Sequence, residues 1–113
     1  IVLGSNVRVG FQVQFIDTSI HQLMDLSTLE KLPLNGTIHL DDYNWVGNRT
    51  TIMKNTRTPV NCIIASNSLI NKDYTPFGEN ILIGGLPAKL LKENISRDWE
   101  GERENLDRNL IIY

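Results

Sequence analysis

Two histidines, one cysteine and a glycine pair followed by a lysine carry most of the chemistry this chain can offer. His21 and His39 are its only imidazoles, and a neutral imidazole can take a proton from a hydroxyl near neutral pH. Asp17 stands four residues before His21. A carboxylate at that spacing can fix the ring or support its charged form, with a structural turn role as the alternative. His39 follows His21 by eighteen residues and raises the idea of a zinc site. Such a site takes at least three protein ligands, so two histidines fall short without one of another residue type or one from a missing N-terminal segment. No metal is therefore expected. Cys62 is the single cysteine: no disulfide or cysteine cluster closes within one chain, and a reducing, cytoplasmic setting is the simpler expectation.

With 113 residues, 41% of them hydrophobic, the chain suits one domain with a modest core. Its net charge of -2 offers no general basic field, which argues against nucleic acid and acidic membranes as partners. Any anion must be held locally. There is no charged leader followed by an apolar run, and no stretch long enough to span a bilayer. Ile1 falls inside a repeat, so the true N-terminus is expected to be missing.

The elements that must hold these residues follow a period of six. Leu40, Val46, Ile52, Thr58, Ile64 and Ile70 recur at that spacing, as do Leu3, Val9 and Phe15. Helices repeat apolar residues at three and four and half-buried strands at two. A triangular coil with sides of about six residues explains the period, and it predicts a parallel β-helix with one inward opener per side. Fifth positions Thr50, Thr56, Cys62 and Ser68 are small enough to sit near a corner. Gly4, Gly10, Asp41, Gly47 and Ala65 hold the second position, where a bend is expected. Thr58-Pro59 replaces the usual aliphatic and small pair, and predicts a bent or loose rung.

Two segments break the pattern. Residues 21–37 are polar, contain Pro33 and Asn35-Gly36, and read as a loop thrown out from the coil, with short helical content around Leu26 to Leu32 as an option. After Ile70 the hexads fade, and a last strand from Asn80 to Ile83 leads into Gly84-Gly85-Leu86-Pro87-Ala88-Lys89. From Pro87 the spacing of Leu91, Ile95 and Trp99 predicts a helix that ends near Gly101. A second helix is expected beyond it, with Leu106, Leu110 and Ile111 on one side. The chain thus divides into a coil over residues 1–86 and a helical extension over 87–113, which would cover the open end of the solenoid.

Three motifs add a resemblance. The run Leu40-Asp41-Asp42-Tyr43-Asn44-Trp45-Val46-Gly47 with Ile64-Ala65-Ser66-Asn67-Ser68 resembles the left-handed parallel β-helix of the hexapeptide-repeat acyltransferases. Gly84-Gly85-Leu86-Pro87-Ala88-Lys89 is similar to the signature that closes the family's coil beside coenzyme A. Phe15-Ile16-Asp17-Thr18-Ser19-Ile20-His21 resembles a segment of its sugar O-acetyltransferase branch. The resemblance implies direct transfer of an acetyl group from acetyl-CoA to a sugar hydroxyl, with His21 as general base supported by Asp17. It implies that Trp45, Ala65, Ser66, Gly84, Gly85 and Lys89 line the cofactor groove, Lys89 meeting a phosphate. A homotrimer is implied, with His21 of one chain facing the groove of the next. N-acetylation of an amino sugar and a non-catalytic trimerisation scaffold remain the alternatives.

Overall fold

A computed structural model describes residues 1–109, in which the hexads wind into a left-handed parallel β-helix. The first coil carries β1 (Val2–Leu3), β2 (Arg8–Val9) and β3 (Gln14–Ile16). A loop bearing β4 (Met24–Asp25) and β5 (Glu30–Lys31) follows. The second coil is β6 (Ile38–Leu40), β7 (Trp45–Val46) and β8 (Thr51–Met53), and the third is β9 (Thr56–Thr58), β10 (Cys62–Ile64) and β11 (Leu69–Ile70). β12 (Ile81–Gly85) starts a fourth coil, β13 (Ala88–Glu93) doubles back on it, and α1 (Glu102–Asn109) ends the described chain.

Corresponding sides stack into three faces: β1–β6–β9, β2–β7–β10–β12–β13 and β3–β8–β11, here the first, second and third. All stacking within the coil is parallel, as in Val9 beside Val46, Val46 beside Ile64 and Ile64 beside Ile83. The loop enters between the first and second coils, yet Leu3 still lies in register with Leu40. The insertion leaves the stack intact.

The inward positions are those the period predicts. Openers Leu40, Val46, Ile52, Ile64 and Ile70 are fully buried, as are fifth-position Thr50, Thr56, Cys62, Ser68 and Tyr74. Each buried aliphatic opener contributes about 1.5–3 kcal/mol. Burial pushes the Cys62 thiol up to about 12, so it packs as a protonated group. Thr58 does not loosen its rung. It is buried, its Oγ1 donates to Asn44 Oδ1 at 2.5 Å, and Asn44 Nδ2 donates to the Pro59 carbonyl at 2.9 Å. A polar opener is tolerated because an inward asparagine from the coil below satisfies it.

The corners differ from expectation. The bend falls at the fourth position, where Asn6, Gln12, Tyr43, Arg49, Asn55, Asn61 and Asn67 have φ between 54° and 68°. Asparagine tolerates this left-handed region better than most residues, which explains its recurrence there. Second-position glycines serve close stacking instead. A Cβ on Gly47 would lie 2.5 Å from the backbone nitrogen of Ser66 in the next coil.

Two helix expectations are also corrected. Residues 26–32 form no helix: β4 and β5 pair antiparallel, and the Asp25 carboxylate accepts bonds from the amide and hydroxyl of Ser27. Leu26 and Leu29 are 80% and 74% exposed, so a helix there would have no apolar surface to cover, and the local side-chain turn wins. Pro87 likewise does not open a helix. β13 pairs antiparallel with β12 from Gly85–Ala88 to Ile81–Glu93, because the free edge of β12 offers a full ladder of hydrogen bonds. The sheet thus runs past residue 86, where the extension was expected to begin. The helix is α1, and Leu110 and Ile111 of its expected apolar side lie outside the described residues. No helix among the described residues is long and apolar enough to cross a membrane.

Candidate active site

Where the second face turns into the third, four rungs of small residues stack: Gly10, Gly47, Ala65 and Gly84. Their amides climb the corner, Gly10 N–H donating to the Val46 carbonyl, Gly47 N–H to Ile64 and Ala65 N–H to Ile83. Ser66 Oγ accepts from the Asn48 amide at 3.0 Å, and Ser68 Oγ accepts from the Gly85 amide at 3.1 Å. A Cβ on Gly84 would meet Ala65 Cβ at 2.8 Å. The corner therefore brings Ala65, Ser66, Gly84 and Gly85 together and leaves Ser66 and Gly85 exposed. Lys89 lies opposite Gly84 on β13, exposed; it is a strand lysine, not a helix-start one. This surface has the shallow, backbone-lined form that an extended ligand with a phosphate end could follow.

Trp45 sits outward on the second face between Arg8 and Ile63 and is 40% exposed. One side of its indole is covered from an unexpected source. The chain after β13 returns across the face so that the Arg97 guanidinium lies 4.9 Å from the Trp45 ring and 4.5 Å from the Trp99 ring. Arg97 is ion-paired with Glu102. Burial first, and the nearby Arg8 cation second, hold its pKa below the usual arginine range. Trp99 is anchored by its Nε1 donating to Asn61 Oδ1 at 3.1 Å and by an edge contact with Tyr43 at 5.5 Å. Asn61, itself a left-handed corner residue, also donates to Asn80 and Ser96. Beside this anchor a cavity of about 330 Å³ is lined by Tyr43, Val60, Asn61, Asn80, Trp99 and Glu100.

His21 stands on the other side of the third face, where that face turns into the first and the loop departs. It is exposed, and its amide donates to the Ser19 carbonyl at 2.5 Å in a tight turn. Ile20 has φ 61° although it is β-branched, while its amide donates to Thr18 Oγ1 at 3.1 Å. Asp17 contributes its carbonyl, which accepts from the Gly36 amide. Among the described residues no hydrogen bond or ion pair joins the Asp17 carboxylate to the His21 ring. His39 lies in β6 on the first face between Val2 and Arg57, so the two histidines do not stack.

The candidate residues of one chain thus fall into two groups. Ala65, Ser66, Gly84, Gly85 and Lys89 meet at one corner with Trp45 on the adjoining face, and His21 and Asp17 lie at another. No hydrogen bond or ion pair joins the two sets among the described residues. Sequence reasoning missed Lys54, whose Nζ donates to Ser19 Oγ at 3.0 Å, to the Pro33 carbonyl at 2.8 Å and to the Leu34 carbonyl at 3.1 Å. It also missed Arg97, Trp99 and Asn61. The regular recurrence of asparagine at the fourth position was the available signal for Asn61; Lys54, and Arg97 in its contact with Trp45, act on groups remote in sequence and left none.

No family model matches the chain. It is 33% identical to a probable macrolide acetyltransferase of Lysinibacillus sphaericus over 95 residues, covering 75% of this chain and 51% of that protein. It therefore spans about half the length of this relative. Among solved structures it is similar to the polysialic acid O-acetyltransferase OatWY, with a TM-score of 0.80 and 22% identity over 95% of this chain and 53% of that one. It is also similar to AntD, an N-acyltransferase from Bacillus cereus solved with dTDP-4-amino-4,6-dideoxyglucose and coenzyme A, with a TM-score of 0.67 and 15% identity over 95% of this chain and 60% of that one. The six-residue rungs, their parallel stacking and these likenesses make the chain a hexapeptide-repeat left-handed β-helix, the fold of the hexapeptide-repeat acyltransferases.

Proposed function

We propose that the protein moves an acetyl group from acetyl-CoA to a hydroxyl of a sugar or saccharide-like acceptor. The observation that carries this reading is the likeness to the probable macrolide acetyltransferase, which extends over most of the chain. The corner of Ala65, Ser66, Gly84 and Gly85 supports it as the track of the donor, with Lys89 near a phosphate and Trp45 toward the thioester. His21 is the base: its imidazole takes the acceptor proton as the hydroxyl oxygen attacks the thioester carbonyl, the C–S bond breaks to leave the acetyl ester, and the imidazolium returns the proton to the departing thiolate, which leaves as free coenzyme A. Asp17 supports the turn from which His21 projects. Because the two groups occupy different corners, the reading places the reaction between neighbouring chains of a homotrimer, His21 from one and the donor corner from the next. A cytoplasmic location, where acetyl-CoA is available, belongs to the same reading.

Transfer to an amine is the second reading, favoured by the likeness to AntD, described as an N-acyltransferase. A panel of saccharide, macrolide and amino-sugar acceptors, scored by release of free thiol from acetyl-CoA, separates the two. His21→Ala is expected to lower kcat by about 10²–10⁴-fold while calorimetry still records donor binding. Full activity in that variant would remove His21 as the base.

A further inference from the structure

The geometry points to Lys54 as the positioning residue for His21, acting through the strained turn at the loop root. This rests on the reading of His21 as the base. The turn runs from Thr18 to His21, and the residue with positive φ sets it apart from the other corners of the coil. Corner residues elsewhere in the second and third coils are Tyr43, Arg49, Asn55, Asn61 and Asn67, none of them β-branched. Ile20 is, and it adopts φ 61° while 71% exposed. A β-branched side chain in this region is under steric strain, and burial of its own side chain offsets little of it. Such a conformation persists only where the surroundings over-determine it.

Lys54 is the surrounding group that does so. Its stem rises from the corner after β8, in register beyond the Ile16–Met53 pair. Its ammonium spends its three donors on the loop: Ser19 Oγ on the outgoing strand of chain, and the Pro33 and Leu34 carbonyls on the returning one. Ser19 is tied a second time, its amide and hydroxyl both donating to the Leu34 carbonyl at 2.9 and 3.1 Å. An ammonium with all three protons engaged joins both ends of the insertion at one point, two residues before His21. With Ser19 held and Ile20 forced into a left-handed turn, the direction in which the His21 backbone leaves the coil is set. A general base needs that constancy, because small displacements of a reacting group cost large factors in rate.

The test compares Lys54→Met, Lys54→Arg and Ile20→Gly with the parent protein. Lys54→Met is expected to lower kcat about tenfold and leave the acetyl-CoA KM within about twofold, with faster amide exchange at residues 19–21. Lys54→Arg, which keeps charge and donors, regains part of the loss. Ile20→Gly relieves the strain, so it raises the unfolding midpoint yet lowers kcat; a purely structural turn would gain stability and lose no rate. Should Lys54→Met fold poorly, Ser19→Ala removes one of the three bonds and is expected to give a smaller loss of the same kind. Unchanged kcat in Lys54→Met where His21→Ala is inactive overturns the inference, and so does full kcat in Ile20→Gly. If His21→Ala is itself fully active, the proposed base has failed instead. Amide exchange in Lys54→Met then decides alone whether Lys54 holds the turn, unchanged exchange overturning it.

Discussion

The two corners that flank the third face are built from the same rungs by opposite rules. At the corner shared with the second face, glycine or alanine recurs because the coils stack closely: an added Cβ would meet the Ser66 amide nitrogen at Gly47, the Asn48 side chain at Gly10 and Ala65 Cβ at Gly84. The corner shared with the first face is joined by side chains: Lys54 reaches across to the loop, and the nearest approach to a Cβ on Gly36 is by the side chains of Asn55 and Lys54. The first kind of corner presents closely stacked small residues, tied by the Ser66 and Ser68 hydroxyls. The second lets the chain leave and return, and so can carry a reactive group away from the coil. A regular solenoid can bind along its length, and a break in the repeat adds a loop that can carry a reactive group.

The largest test of that division is complementation. If His21 and the donor corner act between chains, co-assembly of His21→Ala and Ser66→Trp chains restores activity that neither has alone. A cyclic trimer that contains both kinds of chain has about one site in three with both halves intact. Ser66 is exposed, so a bulky residue there obstructs the track without entering the core. Co-expressed, differently tagged chains purified through both tags and assayed for thiol release give the measurement. No recovery would place both halves in one chain and sink the division of labour.

A smaller effect separates the corners by stability. Gly47→Val forces Cβ against the Ser66 amide and should cost about 1–3 kcal/mol in denaturant unfolding. Gly36→Val meets first the Asn55 amide oxygen at 2.4 Å, the end of a side chain that can turn away, and then Lys54 Cβ at 3.0 Å, and should cost less. Equal losses would mean that the two corners are packed alike.

How much of this was legible follows the same line. Openers and fifth positions were readable because local spacing sets which side chains point inward, as at Leu40, Val46, Ile52, Ile64 and Ile70; how deeply they are buried depends also on the stack, and the first-coil openers Leu3 and Val9, at the edge of it, stay 45% and 44% exposed. The bend was misplaced by two positions. Glycine at the second position suggested a turn, when its cause was the Ser66 amide of the next coil, a contact invisible in one dimension. Tyr43 and Arg49 masked the corner set that Asn55, Asn61 and Asn67 display. Pro87 with Leu91, Ile95 and Trp99 imitated a helix because four-residue spacing is blind to an open strand edge. Of the proposed site, His21 and the glycines were candidates through motifs, whereas the contacts of Lys54 with the loop and of Arg97 with Trp45 exist only once folding brings the partners close.

The smallest effect concerns the turns themselves. Asn55 at one corner and Asn67 at the other share the left-handed conformation, with φ 68° and 59°. If the backbone path is common and only the packing above it differs, Asn55→Ala and Asn67→Ala should each lose about 1 kcal/mol, and the glycine variants should lose little. Asn67 also accepts a bond from Arg49 Nε at 3.2 Å. That bond is exposed, so its loss should add no more than about 0.5 kcal/mol. Matched unfolding curves for the four variants make the comparison. A large penalty confined to Asn55 would show that the loop-bearing corner depends on its asparagine as well as on Lys54, and that the departing chain has altered the rung beneath it.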